Sequence, residues 1–330
     1  MRVLGKTNLK VNDIGCGGIP IQRLTQQEVN EMINVMIDQG INFIDTARGY
    51  SNSEMLIGNA IEGKREYFIL ATKSMARTYD AMKLDIETSL KNLKTNYIDL
   101  YQLHNVPIGE NIEGAIKALE EAKIEKKIGH IGITSHSIEM LEKAIEDNYF
   151  ETVQFPYNIV EKQAEELFRK ANKNNIGVIV MKPLAGGAIT DSELALKYIL
   201  NNEDISVIIP GMESVEQIIS NNSVKPCDFT VEEEKKIAEI RKELNNDFCR
   251  RCGYCMPCPK GINIPFTFLC EGYYLRYNLQ QWALERYNSM KVKPSACIKC
   301  GLCESKCPYN LKIRKKLQGV AKMMEEKNEK

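Results

Sequence analysis

From residue 12 to about 225, short apolar runs alternate with longer stretches whose apolar residues recur at helical spacing. The runs fall at 13–16, 41–44, 67–71, 98–103, 129–133, 152–155, 177–181 and 206–209; segments such as 26–38 and 112–125 lie between them. Most runs are rich in β-branched residues and do not alternate with polar ones, as expected of strands buried on both faces. Eight such strands, each followed by a helix, predict a closed (β/α)8 TIM barrel. An open doubly wound sheet is the alternative. It would carry a Gly-x-Gly-x-x-Gly turn after an early strand, and Gly15-Cys16-Gly17-Gly18 does not supply one. Residues 1–10 read as a hairpin-like stretch able to plug the barrel bottom, and residues 230–244 as one further helix rich in Glu and Lys. The expected organisation is a barrel over 1–245 and a small, mainly helical module over 246–330.

That module holds eight of the eleven cysteines. One run reads Cys249-Arg-Arg-Cys252-Gly-Tyr-Cys255-Met-Pro-Cys258-Pro259, the other Cys297-Ile-Lys-Cys300-Gly-Leu-Cys303-Glu-Ser-Lys-Cys307-Pro308. The second is C-x2-C-x2-C-x3-C-P, a spacing that wraps three thiolates around one four-iron cube while the fourth serves a partner cube. The module is therefore expected to be a ferredoxin-like 4Fe-4S domain. With two clusters wired crosswise, Cys249, Cys252, Cys255 and Cys307 hold one, and Cys297, Cys300, Cys303 and Cys258 the other. The first run has two residues instead of three before its last cysteine, so a single cluster, with that run structural, is the alternative; two zinc sites are another. Between the runs lies an aromatic-rich insert with Tyr273, Tyr274, Tyr277, Trp282 and Tyr287, read as a small core. Cys16, Cys227 and Cys270 stand alone and are expected to be buried thiols.

Positive and negative side chains balance at 44 each, which points to no nucleic-acid partner. No apolar run approaches the ~18 residues of a membrane span, and no export signal is apparent. Tight cysteine runs in such a chain suit reduced metal ligands in the cytoplasm better than a disulfide scaffold.

Chemistry in such barrels sits where strands end and loops begin. The polar residues there are Asp45, Tyr50, Lys73, His104, Thr134, Ser135, Gln154 and Lys182, with Gly211 after the eighth strand. A tyrosine, with its ordinary pKa near 10, becomes a usable acid when a lysine ammonium favours its phenolate and an aspartate holds the lysine. A nearby neutral histidine can orient a carbonyl oxygen.

The segments Asn42-Phe-Ile-Asp45-Thr-Ala-Arg-Gly-Tyr50-Ser-Asn-Ser-Glu54, Ala71-Thr-Lys73 and Tyr97-Ile-Asp-Leu-Tyr-Gln-Leu-His104 resemble the aldo-keto reductase family, with the likeness running over residues 1 to 222. The cysteine signature is similar to that of members with a C-terminal ferredoxin-like extension. The resemblance implies an NAD(P)H-dependent oxidoreductase acting on an aldehyde or ketone. Tyr50 would be the general acid/base, Lys73 and Asp45 its tuning pair, and His104 the carbonyl-orienting residue.

Around the dinucleotide the chain departs from the family pattern. Thr134-Ser135 replaces a Ser-Asn pair, Gln154 is retained, and Met181 takes the place of a stacking aromatic residue. After the eighth strand, Gly211 and Gln217 stand where NADP-binding members place a lysine and an arginine. Two lost charge-assisted contacts, each worth about 1.5–3 kcal/mol, predict a weak preference for the 2′-phosphate and leave NADH open. Gly211 and Ser214 can still offer donors to a pyrophosphate at a helix start, with Gln217 and Asn221 close by in sequence. Lys182 is read either as a dinucleotide contact or as a solvated side chain, and His136 as a helix-cap or surface residue. Short loops at 105–111 and 184–191 suggest that the cysteine module covers the barrel mouth.

Nicotinamide delivers electrons in pairs, whereas each cluster passes one at a time. A ferredoxin or flavoprotein partner, a substrate that accepts single electrons, or purely structural clusters would each reconcile the two halves. The alternative to a carbonyl reductase is an electron-transfer or redox-regulatory protein whose barrel binds a ligand without turning it over.

Overall fold

A computed structural model describes residues 1–244, 248–251, 253–307 and 309–328. The chain divides into two compact units, Met1–Ala185 with Asp191–Asp228, and Gly186–Thr190 with Phe229–Lys330.

The first unit opens with the hairpin β1 (Arg2–Val3) and β2 (Lys10–Val11), followed by β3 (Cys16–Gly17), α1 (Gln26–Asp38), β4 (Phe43–Asp45), α2 (Ser53–Ala60), β5 (Ile69–Ser74), α3 (Tyr79–Asn92), β6 (Ile98–Leu103) and α4 (Glu113–Ile124). It continues with β7 (Ile128–Thr134), α5 (Ile138–Glu146), β8 (Thr152–Pro156), α6 (Glu165–Lys173), β9 (Gly177–Met181), α7 (Ser192–Leu200), β10 (Val207–Ile209) and α8 (Val215–Ser223). Strands β3 to β10 pair in parallel in chain order. Bridges Ile14↔Ile208 and Gly17↔Gly211 join the first strand to the last and close the (β/α)8 barrel.

Local chemistry sets several helix starts. Thr25 and Glu28 form a reciprocal capping box on α1, while Ser137, Asp191 and Ser214 accept first-turn amides of α5, α7 and α8. Leu4 and Val11 of the hairpin pack with Phe43, Ala71, Leu100, Ile179 and Val207, the side chains that fill the barrel interior. Gly5 bridges Ile176 at the start of β9, so the hairpin plugs the end where strands begin. A Cβ at Gly5 would lie 2.2 Å from the Gly177 nitrogen, and only glycine fits there.

The second unit contains α9 (Val231–Leu244), α10 (Ile264–Leu275), α11 (Gln280–Asn288), the one-turn α12 (Leu302–Ser305) and α13 (Ile313–Asn328). Its core includes Phe268, Tyr273, Tyr287, Leu317 and Val320, with Trp282 against Tyr273 at 4.6 Å between ring centroids. The aromatic insert thus supplies a core, as its composition predicts. Among the described residues no helix is long and apolar enough to cross a membrane.

Candidate active site and cluster cavities

Asp45, Lys73 and Gln102 sit on the adjacent strands β4, β5 and β6. Lys73 Nζ donates to Asp45 Oδ2 and to the Thr46 carbonyl, both at 2.6 Å, and Gln102 Nε2 donates to Asp45 Oδ1 at 3.0 Å. All three side chains are buried. Burial pushes Lys73 below the ordinary lysine range, against the opposing pull of Asp45. Burial also pushes Asp45 up, and Lys73, Gln102 and Gln154 oppose it.

The loop after β4 brings Tyr50 to this pair. Arg48 N–H donates to the Lys73 carbonyl at 2.9 Å, Thr46 and Ser53 hydroxyls meet at 2.9 Å, and Arg48 ion-pairs with buried Glu54 at 2.6 Å. Lys73 Nζ then lies 4.9 Å from the centroid of the Tyr50 ring. His104, anchored by its amide to the Ser74 carbonyl, meets Tyr50 in a T-shaped arrangement with ring centroids 5.8 Å apart. The four predicted polar residues therefore converge at the C-terminal end of the strands. Gln102 belongs to the same network, and Glu54 acts on Lys73 through its charge. Gln102 shares a strand face with His104 by the two-residue period, which is the signal that marks it.

The predicted dinucleotide contacts are less uniform. Gln154 is buried on β8 beside Thr134, and among the described residues its Oε1 has no hydrogen-bond partner. Thr134 Oγ1 accepts from the Asn105 amide at 2.8 Å, and Ser135 Oγ donates to the Val106 carbonyl at 2.6 Å; both hydroxyls brace the loop after β6. Met181 ends β9, half-buried, and the next residue, Lys182, adopts a φ of 57° with its carbonyl accepting from Asn158. Gly211 packs on Pro20, whose Cγ would stand 2.8 Å from a Cβ there. Ser214 caps α8, Gln217 Oε1 accepts from the Glu213 amide, and Asn221 is buried on α8. Arg23, from the loop after β3, ion-pairs with Glu213. No sequence pattern marks that pair, because barrel closure brings the two loops together.

In the second unit two cavities are lined by cysteines. One takes Cys297, Cys300 and Cys303 from the second run and Cys258 from the first. The other takes Cys249 and Cys255 from the first run and Cys307 from the second. Cys252 lies outside the described residues. The runs share a backbone pattern, with Arg251 at φ 58° and Gly253 at 85° matching Lys299 at 57° and Gly301 at 83°. Among the described residues no three Cys, His, Asp or Glu side chains come together around a single ion; the thiols line cavities. Of the lone cysteines, Cys16 and Cys270 are buried, and burial pushes their thiols up to about 12 and about 11. Cys227 departs from expectation. It lies exposed in the irregular segment after α8, tied by its carbonyl to Asn201.

A closed parallel barrel with this buried polar cluster, followed by a helical unit with two cysteine-lined cavities, defines a two-part oxidoreductase. Residues 13–193 match the aldo/keto reductase family, and the chain belongs to it. Residues 248–312 match a 4Fe-4S dicluster domain. Among relatives, the chain is 36% identical over 194 residues to the aldo-keto reductase YhdN of Bacillus subtilis, which covers 53% of this chain and 57% of that protein. It is 30% identical over 210 residues to the oxidoreductase YqkF of the same organism, 58% of this chain and 67% of that one. L-galactose dehydrogenase of Arabidopsis thaliana is 26% identical over 275 residues, 67% of this chain and 86% of its own. Among solved structures, aldo-keto reductase AKR11C1 from Bacillus halodurans, in its holo form, superposes with a TM-score of 0.65 at 27% identity over 72% of this chain and 95% of its own.

Proposed function

We propose that the barrel reduces an aldehyde or ketone with NAD(P)H, with Tyr50 donating the proton. The observation that carries this is the buried Lys73 ammonium, fixed by Asp45 at 2.6 Å and standing 4.9 Å from the Tyr50 ring. A cation so placed stabilises the phenolate that Tyr50 becomes when its Oη proton leaves. Asp45 holds the ammonium in place, and Gln102 occupies the second carboxylate oxygen. His104 orients the carbonyl oxygen next to Tyr50.

Gln154 Oε1, buried and lacking a partner among the described residues, fits a carboxamide NH2 donor. Met181 would pack on the nicotinamide, with Thr134, Ser135 and Lys182 at neighbouring strand ends. Gly211, Ser214 and Gln217 would serve the pyrophosphate at the start of α8, and Asn221, further along the helix, the adenosine end. When bound, the nicotinamide supplies the hydride. In place of a cation pair for the 2′-phosphate, the loop after β10 carries Glu213, already paired with Arg23. NADH should therefore serve at least as well as NADPH. Tyr50→Phe should lower kcat by at least ~100-fold while NADH affinity is retained. Full activity in that variant would overturn the proposal.

In the second unit, we propose that Cys249, Cys252, Cys255 and Cys307 hold one 4Fe-4S cluster and Cys258, Cys297, Cys300 and Cys303 a second. Support comes from each cavity drawing cysteines from both runs. Bound clusters would supply one-electron storage, which suits a reducing cytoplasmic setting and a one-electron partner. Anaerobically purified protein should contain about eight iron and eight sulfide per chain; a value near four would leave one cluster.

A further inference from the structure

The chain as a whole has 44 basic and 44 acidic side chains, yet residues 291–316 hold eight Lys and Arg against the single acid Glu304. Of these, Lys299 and Lys306 are exposed on the run that carries Cys297, Cys300 and Cys303, whereas Lys293 turns to the Tyr287 and Asn288 carbonyls and Lys316 to Glu271. Lys260 and Arg314 are on the wall of the second cysteine cavity, and Arg314 reaches the Lys299 carbonyl and the Glu304 carboxylate. Lys312 is exposed and directly precedes α13, two residues before Arg314. In the same run as Cys300 two apolar side chains face solvent, Ile298 at 57% and Leu302 at 49% exposure, on either side of that exposed cysteine in sequence. The first cavity also has an exposed side chain, Tyr254 at 64%, but covers one of its two arginines. Arg250 there is 5% exposed and stacks on Tyr309 at 3.8 Å.

We infer that this face is the docking surface for an acidic one-electron carrier protein, seated over Cys300 with Ile298 and Leu302 as its dry centre. The inference rests on the reading of the second cavity as a cluster site. A small exposed apolar centre inside a rim of one charge is the arrangement that steers an oppositely charged partner and fixes its orientation. Surface cations whose only task was to balance bound thiolates would need no apolar centre in solvent. The exposed thiol at that centre is what makes a redox carrier, and no other acidic protein, the occupant.

The test titrates anaerobic holoprotein with an acidic two-cluster ferredoxin by calorimetry at about 50 and about 500 mM salt, either side of the physiological screening regime. Binding should be present at low salt and largely lost at high salt. The double reversal Lys260→Glu/Lys312→Glu should weaken it about tenfold or more, and Lys260→Gln/Lys312→Gln should weaken it less, with iron content unchanged in both. Ile298→Ser should weaken binding without altering the salt dependence, and Lys173→Glu, on a barrel helix, should leave it unaffected. A basic c-type cytochrome should not bind. Ferredoxin binding that is absent, or indifferent to the double reversal, overturns the inference, as does tighter binding to phosphatidylglycerol vesicles than to ferredoxin. Loss of iron in both the Glu and Gln double variants also overturns it, because the charges then serve the cluster. Wild-type protein without iron after anaerobic purification removes the cluster reading and this inference with it. Iron present without carrier binding removes the inference alone.

Discussion

In the barrel, Asp45, Lys73 and Gln102 stand on three neighbouring strands, and both carboxylate oxygens of Asp45 accept from the other two at 2.6 and 3.0 Å. In the second unit the cysteines stand on turns and one short helix, and they face cavities whose backbone is held open by positive-φ residues such as Lys299 and Gly301. The first arrangement is complete as folded, because hydrogen bonds of the sheet set its register before any ligand arrives. The second gathers donors whose mutual attraction is slight, so its stability belongs to whatever the thiols bind. The difference teaches where each half is fragile. Breaking the barrel site leaves a buried charge, and breaking a cavity removes a cross-link.

The sharpest way to break this contrast is Cys303→Ser. It should remove roughly half the iron and lower the melting temperature of the second unit, while the barrel transition, followed by calorimetry, stays in place. Next in size is Lys73→Met, which leaves Asp45 buried without its cation. It should cost about 3–5 kcal/mol in the denaturant midpoint of the barrel and abolish turnover, with iron content retained. If Lys73→Met lost less than ~1 kcal/mol, the pair would not be the pre-formed element described above.

A smaller effect sharpens the comparison within the barrel, away from its chemistry. Burial alone would raise the Glu151 carboxyl, but bonds from His130, Lys123 and the Ile131 amide outweigh it and hold the group down at about 2 against an ordinary 4.5. Native protein then binds fewer protons than unfolded chain between those values. The stabilisation is complete above about pH 4.5 and is lost as pH falls towards about 2. Glu151→Gln should flatten that part of the stability profile relative to wild type, as read from urea midpoints at stepped pH.

Much of the barrel is legible in sequence because its strands are buried on both faces. Runs such as 98–103 and 177–181 coincide with β6 and β9. Residues 13–16 were less so. The observed strand is Cys16–Gly17, while Asp13 and Gly15 still bond to the last strand through their backbone. The polar cluster is legible at Asp45, Tyr50, Lys73 and His104, since Asp45, Lys73 and His104 lie at strand ends and Tyr50 in the loop after β4. Gln102 hides between Tyr101 and Leu103, and Arg23 and Glu213 are joined only by closure of the ring. In the cysteine unit the spacing is legible, whereas the pairing of Arg314 with Glu304 depends on helix α13 folding back.

The plug at the barrel bottom has a consequence for the order of assembly. Arg2 bonds to carbonyls of Leu200, Asn202 and Ile205, and the Lys6 amide to that of Asn175. A ribosome delivers the hairpin well before any of these partners exists. Leu4 and Val11 therefore have no native seat until β9 and the segment leading to β10 emerge, and the loop they close is among the most expensive in the chain. Pulse-labelling hydrogen exchange during refolding should find the Leu4 amide, bonded to Leu9 within the hairpin, protected no earlier than those of β9. In this chain an early segment waits for later strands to give it a place.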